Sequence, residues 1–249
     1  MIQYFFSNWK DIPDTYQWKA YSLEYWIWIL ILITLIVIMA KIYKKSNHKD
    51  AILKGIAIVI VIQEILKDIL HYYAGSLELE HLPLHLCGIS IFMVCWHAFS
   101  RNKLNTQFIY ALTLPGAIFA LAFPNWTQYP IFHFSSFNSF TIHTWLIMYV
   151  VIQLYGKTLR PNFKDLKYTF IFTLLLMIPI YFLNKIWNTN FFFLNTPSPG
   201  SPLMFLYQLF GNGYVIALVL LFILLWILIY IPWMETYENK SYQKNRELS

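Results

Sequence analysis

The sequence predicts an all-α fold, a polytopic transmembrane bundle of about seven spans, and three observations carry that reading. Of its 249 residues, 58% are hydrophobic and 12% charged, against about 25% charged in a typical soluble domain. Several apolar runs reach the roughly 18–20 residues that cross a bilayer. Lysine and arginine cluster in alternate loops, the pattern that sets membrane orientation. The net charge of +6 is thereby assigned to topology and headgroup contact, and nucleic acid is not an expected partner.

Residues 1–22 are too mixed to span and read as an interfacial segment with Tyr16, Trp18 and Tyr21 as anchors. They lack a basic stretch before a short apolar run, so no cleaved signal peptide is expected. Spans are expected at 23–42, 51–72, 80–99, 104–123, 136–156, 166–187 and 213–233. The first, "LEYWIWILILITLIVIMA", is uniformly apolar, whereas the second and third gather polar residues in one half. Basic loops hold Lys44, Lys45 and Lys49, then Arg101 and Lys103, then Lys157, Arg160 and Lys164, then Lys240, Lys244 and Arg246. Loops 73–79, 124–135 and 188–212 hold no lysine or arginine. The N-terminus is therefore expected outside and a tail of residues 234–249 in the cytoplasm. Pro197, Pro199 and Pro202 make 188–212 a long outer loop. Pro115 with Gly116, and Pro179, are expected to bend spans four and six.

Ionisable side chains within spans are costly and mark functional candidates. Here they share a depth. Glu64, Lys67, Asp68 and His71 lie in the outer half of span two, at the i, i+3, i+4, i+7 spacing of one helical stripe. That stripe reads equally as a self-neutralising helix face or as part of a site. His81, His85 and Cys87 lie in the outer half of span three, and His143 sits about seven residues into span five. In a regular helix His81 and His85 share one face and Cys87 points about 160° away from His85.

A cysteine acts as a nucleophile once a neighbouring base removes its proton. Cys87 with His143 is the candidate pair, a dyad suited to acyl transfer through a thioester. A separation beyond about 8 Å would deny them direct proton transfer. Cys95, deeper and away from polar company, reads as a packing residue. The two cysteines are about 12 Å apart along a helix, too far for a disulfide. The HxxxH pair His81 and His85 has zinc-binding spacing, but Leu82 stands where a zinc protease has its glutamate, and the opposed cysteine makes one compact metal site unexpected. No metal and no cofactor is called for. Transport of an ion or small solute through the outer polar cluster, and a receptor role, are the competing classes. Few ionisable groups continue the cluster inward.

Four ordered motifs carry a resemblance: "HLPLHLCGISIF" (81–92), "LTLPGAIFALAFPNW" (112–126), "FHFSSFNSFTIHTWLIMY" (132–149) and "NFFFLNTPSPGSPL" (190–203). Together they resemble the YwaF-like bacterial membrane proteins, a family related to vertebrate transmembrane protein 164, over roughly residues 20–233. The resemblance implies about seven spans, a bacterial cell membrane location and membrane phospholipids as partners. It also implies acyl transfer between phospholipids by a cysteine and a histidine some sixty residues downstream. Cys87 and His143 match those two positions, fifty-six residues apart. A more distant group, the androgen-induced membrane hydrolases, uses threonine and histidine instead. His81, His85, Glu64, Asp68, Asn125 and Asn195 are carried as supporting or substrate-binding candidates. The chain departs from the family at "FGNGY" (210–214), where a Gly-Pro-Trp-rich stretch is usual.

Overall fold

The computed structural model describes residues 2–247, with side chains described for residues 3–234. The expected tail of residues 234–249, with Lys240, Lys244 and Arg246, lies almost wholly outside the described side chains. Helix α1 runs Leu23–Lys45, α2 Lys49–Tyr73 and α3 Leu86–Phe99. Then α4, Lys103–Phe108, passes through a π-helical segment, Ile109–Thr113, into α5, Leu114–Ala122. They are followed by α6 Phe134–Tyr155, α7 Leu166–Trp187, the short α8 Leu203–Phe210 and α9 Tyr214–Glu247. Among the described residues there is no strand.

Each terminus of α1 has a stated cause. Ser22 accepts from the Tyr25 N–H at the start, and Lys44 and Lys45 sit at the negative end of the helix. Its outer face (Leu30, Ile33, Leu35) stays exposed, as a lipid-facing helix requires. Six helical segments are long and apolar enough to cross a membrane. The helix outside that set is α2, whose charged residues dilute its hydropathy, although it traverses the bundle. Asp50 at its start pairs with Arg101 at 2.6 Å, while Gly75 just past its end accepts from Asn8 at 3.1 Å. It is packed between α3 and α6, so neighbouring helices shelter its polar stripe. The central helix is α6, which packs against α1, α2, α3 and α5.

The expected bend at Pro115 appears as the π-helical segment just before it. Proline has no N–H for the Ala111 carbonyl four residues back. Trp226 of α9 supplies the missing donor, Nε1 to the Ala111 oxygen at 2.8 Å. A weakness of one helix thus becomes a tie to another. Thr113 in the same segment donates to Ser90 of α3 at 3.0 Å.

The N-terminal segment folds across the histidine-bearing end of the bundle. It forms three single 3-10 turns, Ile2–Tyr4, Trp9–Asp11 and Asp14–Tyr16. His133 Nε2 donates to the Ser7 carbonyl at 3.0 Å, Lys10 pairs with Glu78 at 3.1 Å, and Trp18 Nε1 donates to the Trp126 carbonyl at 3.3 Å.

Candidate functional site

Span three differs from the expected continuous helix. Residues 79–81 make one 3-10 turn, the chain is non-helical from Leu82 to His85, and α3 begins only at Leu86. Two causes are visible. The Glu78 side chain and His81 cap each other's backbone across the turn, closing it off. Pro83 then disfavours helical backbone at the residue before it. The helical-wheel argument for His81, His85 and Cys87 therefore does not apply, because the three do not share a helix.

Each histidine finds its own setting. His81 stacks near His71, ring centroids 3.9 Å apart, and His71 Nδ1 lies 2.9 Å from Ser76 Oγ. His85, at the cap position of α3, meets Glu80 Oε2 at 3.4 Å and lies edge-on to Phe191 at 5.1 Å. Glu80 also accepts from the Asn190 N–H at 3.0 Å, tying the outer loop to this turn. In that loop Phe192 and Phe193 both take positive φ, 58° and 54°, strained backbone that is held only where surrounding structure enforces it. Among the described residues no group of three or more His, Cys, Asp or Glu is arranged to hold a metal.

Cys87 is the second residue of α3, so it sits at a helix start although the apolar span itself runs from Leu79. Its Sγ lies 3.1 Å from His143 Nε2, well inside the 8 Å limit set from the sequence. His143 lies about three turns into α6 and is 8% exposed. Its Nδ1 donates to the Ser139 carbonyl at 2.6 Å. That bond fixes the tautomer: with the proton on Nδ1, Nε2 presents a lone pair to the thiol. Cys87, His143 and the Ser139 carbonyl thus lie in series, the order that a nucleophile, its base and an orienting group would take.

The start of α3 adds electrostatics. The first backbone bond of the helix runs from the Ile89 N–H to the His85 carbonyl, and His85 gives no side-chain cap. The N–H groups of Leu86, Cys87 and Gly88 precede that bond and have no intrahelical acceptor, so the positive end of the helix dipole faces the thiol. Gly88 is required by close approach to backbone, and Gly116 gives room to the Leu86 side chain. A Cβ on Gly88 would lie 2.6 Å from the Pro83 backbone, and one on Gly116 would lie 2.9 Å from Leu86.

The remaining candidates scatter. Lys67 Nζ lies 2.6 Å from Glu64 and 3.2 Å from Asp68, a self-neutralising set as the stripe allows. Asn125 is exposed in the loop after α5. Asn195 holds the outer loop together, donating to the Thr189 carbonyl at 2.8 Å. Neither asparagine hydrogen-bonds the Cys87–His143 pair. Sequence reasoning passed over Trp126, which lies parallel to the His143 ring at 5.5 Å with 8° between planes. Its place in "FPNW" was visible, but a loop residue has no helical phase or depth to compare.

A family model described as the TMEM164 family matches residues 15–230. The chain belongs to the TMEM164 family. No curated protein and no solved structure matches it. The match runs from Thr15 in the interfacial segment into the last span, so Cys87, His143 and Trp126 all lie within the TMEM164 region. As a TMEM164-family protein with six helices apolar enough to cross a bilayer, it is an integral membrane protein.

Proposed function

We propose that this TMEM164-family protein is a membrane acyltransferase that moves fatty acyl chains between phospholipids through a Cys87 thioester. The observation that carries the reading is the 3.1 Å contact from Cys87 Sγ to a His143 ring whose other nitrogen is anchored. His143 Nε2 takes the thiol proton and the thiolate attacks the ester carbonyl carbon of a phospholipid. The carbonyl electrons move to oxygen, and the uncapped N–H groups at the start of α3 face the developing charge. The carbon–oxygen bond to glycerol then breaks. His143 returns its proton to the leaving alkoxide, and a lysophospholipid and an acyl-cysteine result. A lysophospholipid hydroxyl reverses the sequence. It gives its proton to His143 and attacks the thioester, and Cys87 leaves as thiolate to be reprotonated.

The surroundings support lipid rather than water as acceptor. Leu86 and Ile89, flanking Cys87 on α3, border the apolar cluster that includes Met177 of α7 and Leu218 of α9. Phe222 and Met177 also line a closely packed apolar seam between those helices, with Phe170 and Trp226. An acyl chain esterified at Cys87 would part this seam, and a site closed to bulk water favours transfer over hydrolysis. Transport is less well supported, because Lys67, Glu64 and Asp68 are engaged with one another. By the positive-inside pattern the site lies in the outer half of the membrane.

Lipid mass spectrometry on purified protein with a phospholipid and an isotopically labelled lysophospholipid tests the reading. Label exchange is expected for the wild type and absent for Cys87→Ala and His143→Ala. Exchange unaffected by Cys87→Ala overturns the thioester mechanism.

A further inference from the structure

We infer that Trp126 is the positioning residue of the dyad: its indole face holds His143 and stabilises the imidazolium that forms when Cys87 gives up its proton. The inference rests on the dyad chemistry proposed above, and four observations carry it.

The first is geometry. The Trp126 and His143 rings are parallel to within 8°, with centroids 5.5 Å apart. That is an offset stack within the range in which an aromatic face attracts a cation. Indole is the strongest such face among the side chains. The second is that Trp126 lies in the loop between α5 and α6, not on the helix that carries His143. It is a separate wall of the site, set against the imidazole from outside α6.

The third observation is an unmet hydrogen bond. Trp126 is 6% exposed, and its buried Nε1 has no acceptor. A buried donor without a partner is unfavourable. The ring orientation is therefore set by its face and its anchors rather than by its N–H. Those anchors form the fourth observation. The Trp126 carbonyl accepts from Trp18 Nε1 at 3.3 Å, and Phe140 meets the indole at 5.6 Å and 89°. Phe140 in turn stacks on Trp28 of α1 at 5.4 Å and 2°. The interfacial segment and α1 thus brace the ring that faces the imidazole.

The effect is directed at one protonation state. Neutral imidazole gains only dispersion from the stack, whereas the imidazolium of the thiolate–imidazolium pair also gains attraction to the ring quadrupole, unscreened by water. Other groups around the pair are accounted for. Glu64 of α2 is neutralised by Lys67 at 2.6 Å, and Tyr25 of α1 donates its hydroxyl to the Leu121 carbonyl at 2.8 Å. On α6 itself, Ser139 presents its carbonyl to Nδ1.

The test reads the thiol directly. In a Cys95→Ala background, the rate of Cys87 modification by methyl methanethiosulfonate is followed by intact mass from pH 5 to 10. The variants are Trp126→Phe, Trp126→Leu and the control Phe108→Leu, which trims a buried ring of α4 packed on Phe172. At pH 7 the rate is expected to fall a few-fold for Trp126→Phe and about ten-fold for Trp126→Leu, the order of their π faces. The variants draw together at the alkaline end of the profile, as the thiolate comes to form without help from the imidazole. Phe108→Leu lowers thermal stability and leaves the pH profile in place.

Acyl exchange should follow the same order in kcat with KM unchanged. Wild-type rates at pH 7 for Trp126→Phe overturn the inference even if Trp126→Leu fails to fold. So does a Trp126→Leu deficit of equal size at every pH, which marks access rather than ion-pair stability. Flat thiol rates with intact exchange remove the role of Trp126 and leave the acyltransferase reading. A graded thiol series without exchange does the reverse.

Discussion

Two cysteine–histidine neighbourhoods lie on α3, one at its start and one near its end. At the start, Cys87 meets His143 of α6 at 3.1 Å. Near the end, Cys95 gives its S–H to the Ala57 carbonyl at 3.7 Å, and His97 bonds the Tyr149 hydroxyl at 2.9 Å. Residue types and burial are similar, yet the partners differ. The interior thiol is absorbed by backbone and the interior imidazole by a phenol, the usual fate of polar groups within a span. The terminal thiol faces free N–H groups and an imidazole lone pair. Placement at a helix start, not the presence of a cysteine and a histidine, separates the proposed dyad from the structural pair.

The comparison breaks first at the sulfur. Cys87→Ala and His143→Ala should each lower acyl exchange by about a thousand-fold or more, while Cys95→Ala should stay within about two-fold, measured by labelled lysophospholipid uptake. The next largest effect contrasts two glycines. Gly88→Ala forces a Cβ to 2.6 Å from the Pro83 backbone, whereas nothing lies within 4 Å at Gly55. Thermal unfolding in detergent should show Gly88→Ala destabilised by about 1–3 kcal/mol, with exchange lost, and Gly55→Ala neutral or slightly stabilised. The structural pair gives a smaller effect of another kind. Tyr149→Phe strands the His97 nitrogen and should cost about 1–3 kcal/mol of stability with exchange retained.

The mildest effect concerns the N-terminal segment. His133 is held neutral, because its Nδ1 accepts from the Ser135 N–H while Nε2 donates to Ser7. Burial pushes its pKa down from 6.5 to about 4. Below pH 6.5 the unfolded chain takes up a proton that the folded chain refuses. The contribution of His133 to stability is thus intact above pH 6.5 and is lost as pH falls toward 4. Hydrogen exchange of residues 2–21 should rise over that window, and His133→Gln should flatten the dependence.

Most of the bundle was legible because helix length and loop charge are local properties of the chain. Span seven was expected from 213 and begins at Tyr214, and span six was expected at 166–187 and runs Leu166–Trp187. The third span was misjudged at its outer end, since Pro83 and the Glu78–His81 cap interrupt a stretch whose apolar content alone reads as helix. The pairing of Cys87 with His143 was legible as a match of depth and family position, although Cys87 sits at a helix start. The role of Asn195 was not legible, because its partners Thr189 and Asn184 depend on the fold of a loop. Nor was the Trp226 bond to Ala111, which needed knowledge that α9 passes the proline of α5.

The Ser139 carbonyl, described above as the group that orients His143, also makes the imidazole a cul-de-sac. A proton relay must enter a histidine by one nitrogen and leave by the other. Here Nδ1 is committed to an amide oxygen of its own helical turn, and an amide oxygen passes nothing onward. Whatever proton Nε2 collects from the thiol has the same door as its exit. An ionisable pair is thus lodged in a membrane protein without its imidazole offering a relay onward.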